Sequence, residues 1–158
     1  MMLRMSIQQR LASLGIELPV LAEPAPSCPT CVITGNLLYV PGSGPLPIEG
    51  KLPKGKLGRE FTTEQGKVFS RSAGPEVLAV VQRALGSLDR VRRVVKLQGY
   101  INATPEFEEH SLVMIGCSDL MVQVFGANGA HARSVLGAMS LRSNVPVIVD
   151  SIFEIARD

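Results

Sequence analysis

Two charged residues in apolar surroundings near the end of the chain are candidates for chemistry. Arg133 lies in HARSVLGAMS and Asp150 lies in VPVIVDSIFEI, and both stretches are predicted strands. Because a buried guanidinium needs a partner, Arg133 has two interpretations. It could form a structural salt bridge with Asp150 or Glu154, or it could bind a substrate carboxylate through two parallel hydrogen bonds. The residues alone favour neither interpretation.

A C-x-x-C pair, Cys28 and Cys31, has the spacing of a zinc knuckle or of a redox pair. A structural zinc site needs four ligands, and neither Cys117 nor the two histidines repeat this spacing. A redox pair usually has its first cysteine at a helix N-terminus, whereas these cysteines lead into a predicted strand. We therefore interpret them as small loop and strand residues, and we expect no metal.

Patterns of nucleophilic catalysis and of nucleic-acid binding are incomplete. His131 and Ser134 are three positions apart, so in a strand they point to opposite faces. No G-x-S-x-G elbow is present. The basic stretch DRVRRVVKL has only Tyr100 nearby to stack on a base, so nucleic-acid binding is not expected.

Length and composition indicate one domain over residues 1–158. The chain is 46% hydrophobic and 4% aromatic, with a formal net charge of +2. Such an apolar, weakly charged chain is typical of a homo-oligomer. We expect no membrane association, and the absence of an apolar signal region and the odd number of cysteines favour the cytoplasm. The amphipathic, arginine-bearing N-terminus leaves organelle targeting open.

Residues 1–26 are predicted to form a short helix and an irregular lead-in. Ser6 and Gln9 make a capping box, and four prolines follow within residues 17–30. CVITGNLLYVPG predicts two strands joined at Gly35-Asn36. A loop rich in glycine, proline and lysine comes next.

The rest of the chain alternates helices and strands. A helix is predicted from Thr62 to Leu85, with Val68 on its buried side and with a kink or a division at Gly74-Pro75. In VRRVVKLQGYIN, the residues Val95, Leu97, Gly99 and Ile101 share one face. Thr104-Pro105 is predicted to open a second helix, before two closing strands. This order suggests an α+β fold in which both main helices pack on one face of a mixed sheet.

Five stretches in order and spacing resemble one family: GNLLYVPG, LDRVRRVVKLQGYIN, SDLMVQVFG, HARSVLGAMSL and VPVIVDSIFEI. The chain is similar to the Rid/YjgF family, in its longer branch of about 150 residues. This resemblance implies a chorismate-mutase-like fold and a homotrimer with clefts between subunits. It also implies hydrolysis of 2-imino acids and enamines to 2-keto acids and ammonia, with no metal or organic cofactor. Older labels for the family include endoribonuclease.

Carried onto this chain, the family's carboxylate-binding arginine falls on Arg133, and the acidic residue that positions water falls on Asp150. Other cleft positions depart from the family pattern. Cys28 stands for a tyrosine, Gly42-Ser43 for Gly-Gln, and Ile115 for an asparagine. The resemblance therefore implies either an imine or enamine deaminase, or a non-catalytic module that binds a small carboxylate or a partner protein.

Overall fold

The computed structural model describes residues 4–24 and 31–157. Cys28, predicted to lie at the cleft, is outside these residues. The main elements, in chain order, are α1 Ile7–Ser13, β1 Val32–Thr34, β2 Leu37–Ser43, α2 Thr63–Leu85, β3 Val91–Asn102, α3 His110–Phe125, β4 Ala132–Ala138 and β5 Val147–Ile155.

The five strands form one mixed sheet in the order β1-β2-β5-β3-β4. β3 and β4 are parallel, and the other neighbouring pairs are antiparallel. A parallel pair needs a crossover connection, which α3 supplies between β3 and β4. In the described chain β4 pairs only with β3, so it is an edge strand.

The helices α2 and α3 pack against each other and against the same face of the sheet. Alternate residues of β5 are buried on that face, including Val147, Val149 and Phe153. The predicted α+β architecture, a mixed sheet with both main helices on one face, is confirmed. By length and composition alone, His110–Gly129 is apolar enough to span a membrane. Six residues of α3 are buried in the packed core, as expected of a core helix.

Sequence predictions for α2 hold at its start and fail in its middle. Thr62 caps the helix, and its hydroxyl and the Gln65 side chain form a capping box. Of the kink or division predicted at Gly74-Pro75, the division is wrong, because one helix of 23 residues runs through it. Proline removes a single hydrogen-bond donor, and burial along the apolar side of α2 offsets that loss. Val68, predicted to be buried, is 58% exposed.

Two further predictions are corrected by local irregularities. The register of β3 slips between Val94 and Lys96, which buries Val94 instead of the predicted Val95. Thr104 does not cap α3, because it begins a turn in which the Phe107 amide donates to the Thr104 carbonyl. α3 begins five residues later than predicted for a Thr104 cap, at His110, with Glu109 before it.

Candidate functional site

Arg133 lies on the open edge of the sheet, beside α3. Arg133 pairs in register with Leu97 of β3, so it lies on the helix-covered face of the sheet. Its position in the edge strand leaves it exposed. Its Nη1 donates a hydrogen bond to Ser118 Oγ at 3.2 Å. Neither Asp150 nor Glu154 lies within ion-pair distance of it. The interpretation of Arg133 as an internal salt bridge is therefore not realised in this chain.

A hydrogen-bonded series of side chains leads to Arg133. His131 Nδ1 lies 2.7 Å from the Gly129 carbonyl, and His131 Nε2 lies 2.9 Å from Ser118 Oγ. Ser134 is the serine nearest to His131 in the sequence, whereas the structure joins His131 to Ser118 in the neighbouring helix. No local signal identifies this pairing, because it depends on how α3 packs beside β4.

Asp150 lies on the opposite, helix-free face of the sheet. Asp150 pairs in register with Gln98 of β3, and β3 lies between the Asp150 strand, β5, and β4. The Tyr100 hydroxyl donates to Asp150 Oδ2 at 3.4 Å. Burial raises the pKa of the Asp150 carboxyl, although the Tyr100 hydrogen bond and the charge of Lys96 oppose the increase.

The other predicted site residues divide between these two places. Ile115 is half-buried in α3, one turn before Ser118, and so lies on the Arg133 side. Gly42 lies in an irregularity of β2 opposite Asp150, where a Cβ would come within 2.5 Å of Ile148 Cγ2. Ser43 follows it and is buried opposite Val149.

Arg133 and Asp150 therefore cannot act on one small ligand within a single chain. They occupy opposite faces of the sheet, on strands separated by β3. A small 2-imino acid spans only a few ångströms, less than the thickness of a sheet with its side chains. A site that uses both groups must combine the Arg133 side of one copy with the Asp150 side of another.

A cavity of about 410 Å³ opens at the far end of β4, beside Gly137 and His110. Gly137 is four residues along the strand from Arg133, which corresponds to about 13 Å. The Lys56 ammonium at this cavity donates to Asn102 Oδ1 at 2.7 Å and also to the Met139 carbonyl. These bonds tie the loop before α2 to the end of the sheet, and we treat the cavity as separate from the Arg133 site.

The cysteines and acidic residues form no apparent metal site in the described parts of the chain. No group of three or more histidine, cysteine, aspartate or glutamate residues converges there. Cys117 is fully buried, and this burial raises its pKa to about 12, so it is neither a reactive thiol nor a ready ligand. Cys31 is half-buried and packs against the core.

Comparisons with known proteins agree with this architecture. The chain is 39% identical over 150 residues to Protein TCP17 of Trypanosoma cruzi, and the match covers 94% of both chains. It is also 39% identical to protein Atu1372 of Agrobacterium tumefaciens, a protein of unknown function whose crystal structure is solved. That structure superposes with a TM-score of 0.85, and the match covers 95% of this chain and 92% of that one. A structure described as a putative endoribonuclease from Shewanella oneidensis is 29% identical, with a TM-score of 0.88 and coverage of 95% and 99%.

A family model agrees with these relatives over nearly the same length. The family described as YjgF/chorismate mutase-like, putative endoribonuclease, matches residues 8–154. Because this match spans most of the chain, and the relatives cover it almost completely, the chain belongs to the YjgF/chorismate mutase-like family.

Proposed function

We propose that this protein hydrolyses small 2-imino acids, and the enamines that interconvert with them, to 2-oxo acids and ammonia, in clefts between the subunits of a homotrimer. The observation that carries the proposal is the exposed guanidinium of Arg133, which donates to Ser118 and forms no ion pair with a carboxylate of the described residues. Such a group is suited to bind a substrate carboxylate through two parallel hydrogen bonds.

Exposed apolar side chains support assembly of several copies. Tyr39 and Leu136 are 43% and 50% exposed, and both lie on the helix-free face with Ile152 and Asp150. A sheet face of this kind is normally covered, and association of copies would cover it. In the proposed assembly, Asp150 of one copy faces the edge strand of another.

In the proposed reaction, Arg133 binds the carboxylate and Asp150 of the neighbouring copy orients a water molecule. The water oxygen bonds to the carbon of the protonated imine, the C=N double bond becomes single as its electron pair moves to nitrogen, and the Asp150 carboxylate accepts a proton from the water. Asp150 then returns this proton to the amine nitrogen of the carbinolamine. The carbinolamine hydroxyl loses its proton to solvent, a C=O bond forms as the C–N bond breaks, and the nitrogen leaves as ammonia. The raised pKa of Asp150 makes its carboxylate a stronger base for the first step. Orientation of an already electrophilic imine supplies much of the acceleration.

The direct test generates 2-iminopropanoate from alanine with an amino-acid oxidase and follows its decay in competition with a trapping reagent. The protein should accelerate the decay. Arg133→Ala should reduce the acceleration by about 100-fold, since two charge-assisted hydrogen bonds are lost. Arg92→Ala is the matched control, because it removes another exposed arginine at the start of β3. A folded oligomer that gives no acceleration would contradict the proposal.

The second candidate function is non-catalytic: the protein would act as a module that binds a small carboxylate. The half-buried Ile115 favours it, because an apolar side chain lies one turn from Ser118 where the resembling family carries an amide. This module would bind pyruvate through Arg133 without accelerating imine decay. Titration calorimetry with pyruvate, beside the decay assay, therefore separates the two functions.

A further inference from the structure

We propose that Ser118 and His131 are positioning residues that hold the Arg133 guanidinium ready for a carboxylate. This inference rests on the proposed function of Arg133 and names two groups that act through it. The series runs from the Gly129 carbonyl through His131 and Ser118 to Arg133, over distances of 2.7, 2.9 and 3.2 Å.

The chemistry of the groups fixes the direction of each hydrogen bond in the neutral ring. The Gly129 carbonyl can only accept, so His131 Nδ1 carries the proton and His131 Nε2 accepts. The Ser118 hydroxyl therefore donates to Nε2, and its oxygen lone pairs are turned toward other donors. Arg133 Nη1 is the donor that meets one of them.

The beginning of the series is rigid. Gly129 is buried against the backbone of α3, where a Cβ would lie 2.2 Å from the Met121 carbonyl oxygen. Its carbonyl is therefore held by the packing of the turn on the helix. Ser118 projects from the same helix, so both anchors of the imidazole belong to one packed unit.

The end of the series leaves most of the guanidinium open. One Nη1 hydrogen is used, which leaves the Nε–Nη2 edge for the two oxygens of a carboxylate. An exposed arginine loses conformational freedom when a ligand fixes it, and a bond already made to Ser118 reduces that loss. Removing the Ser118 hydroxyl should therefore weaken carboxylate binding without changing the chemical step.

A merely structural role is the alternative, in which Ser118 and His131 only attach β4 to α3. A double-mutant cycle distinguishes the two, with titration calorimetry of pyruvate against the full-length oligomer. We expect Ser118→Ala to weaken pyruvate binding by about tenfold and to raise KM for 2-iminopropanoate, with kcat retained. In an Arg133→Ala background, Ser118→Ala should cause no further loss of affinity.

Conservative variants and controls complete the test. Ser118→Thr keeps the hydroxyl, and His131→Gln keeps an acceptor near the Nε2 position, so both should retain most of the affinity that His131→Ala loses. Ser13→Ala controls for loss of a helical serine hydroxyl, because the Ser13 hydroxyl donates to the Arg10 carbonyl in its own helix. Methyl pyruvate, which lacks the carboxylate, should bind the wild type and Ser118→Ala equally.

Each result of these measurements supports or overturns either the positioning role or the hydrolase proposal. Unchanged pyruvate affinity in Ser118→Ala, or an additive loss in the double variant, would overturn the positioning role while leaving the hydrolase proposal intact. Pyruvate binding without imine hydrolysis would remove the hydrolase proposal, and the binding cycle would still decide the positioning role. If wild-type protein neither binds pyruvate nor hydrolyses the imine, both proposals fail.

Discussion

Asp150 is a partly buried carboxylate with little to compensate its charge. Among the described residues, its hydrogen bond comes from the Tyr100 hydroxyl, at a long 3.4 Å. Burial raises its pKa more than that bond and the charge of Lys96 lower it. The ionised carboxylate is therefore tolerated at a cost to stability, which is common where a group is kept for chemistry.

Asp150→Asn should stabilise the protein at pH 7. A carboxyl whose pKa is raised by folding contributes most to stability below its unfolded pKa of about 3.9, and this contribution is lost as the pH rises through the folded value. The neutral amide has no such dependence. The gain in the urea midpoint over the wild type should therefore be largest at neutral pH and should shrink as the pH falls toward 4.

Asp119→Asn, at an exposed position of α3, controls for the loss of one negative charge from the chain. If Asp150→Asn were less stable than the wild type at pH 7, the carboxylate would have to be held by a cationic partner. Imine hydrolysis should fall in Asp150→Asn whatever its stability, because the amide cannot accept the proton from water.

At the scale of single residues, charge in apolar strands was sufficient to single out Arg133 and Asp150 from the sequence. Their surroundings were not predictable in the same way. Ser118 is fifteen residues from Arg133 and belongs to another element, so only the packing of α3 beside β4 brings them together. The face on which each charge lies was not predicted, because it depends on the register of β3 with both of its neighbours.

The elements α2 and α3 pack closely together at Gly116. A Cβ on Gly116 would lie 2.0 Å from the Lys67 carbonyl oxygen of α2. Beside this contact the Ser70 hydroxyl donates to the Val113 carbonyl and accepts from the Cys117 amide. A second close contact occurs at Gly74, where a Cβ would lie 2.0 Å from Leu120 Cδ2.

Gly116→Ala should destabilise the protein by about 1–3 kcal/mol or more, because the added methyl meets a backbone carbonyl that cannot turn away. Gly74→Ala should cost less, since Leu120 can change rotamer and alanine favours the helix by about 1 kcal/mol. Urea unfolding at equal protein concentration measures the difference. Equal costs for the two substitutions would show that the helices separate freely at Gly116.

Elements with local signals were predicted well from the sequence, and those set by tertiary contacts were not. The capping boxes at Ser6 and Thr62 mark helix starts that the structure confirms or places within one residue. The start of α3 was wrong because Thr104-Pro105, a pair that also suits a turn, is used here as one. Val95 was misassigned because a slip of register in β3 moves side chains to the other face.

On the scale of the whole molecule, the proposed site residues lie in two separate groups on opposite faces of the sheet. The helix side of β4 carries Arg133 with Ser118 and Ile115, and the helix-free face carries Asp150 with the irregularity at Gly42 opposite it. Closed symmetry gives every interface the same composition, so one kind of contact would complete all the sites. The resemblance to the family supplied the expectation of shared clefts, and the sheet geometry supplies a reason for sharing them.

Mixed oligomers of two inactive variants should recover activity. The Arg133→Ala chain retains Asp150, and the Asp150→Asn chain retains Arg133. An interface in which the first chain contributes its Asp150 and the second its Arg133 therefore has both side chains. After random mixing by co-expression, about one quarter of the sites should be complete, and imine hydrolysis should return to about that fraction of the wild-type rate. A chain carrying both substitutions, co-expressed with Arg133→Ala, is the control and should recover nothing, because neither chain then supplies Arg133. If the mixed oligomers form and remain inactive, Arg133 and Asp150 do not meet across an interface, and the two charges serve different purposes on the two faces of the sheet.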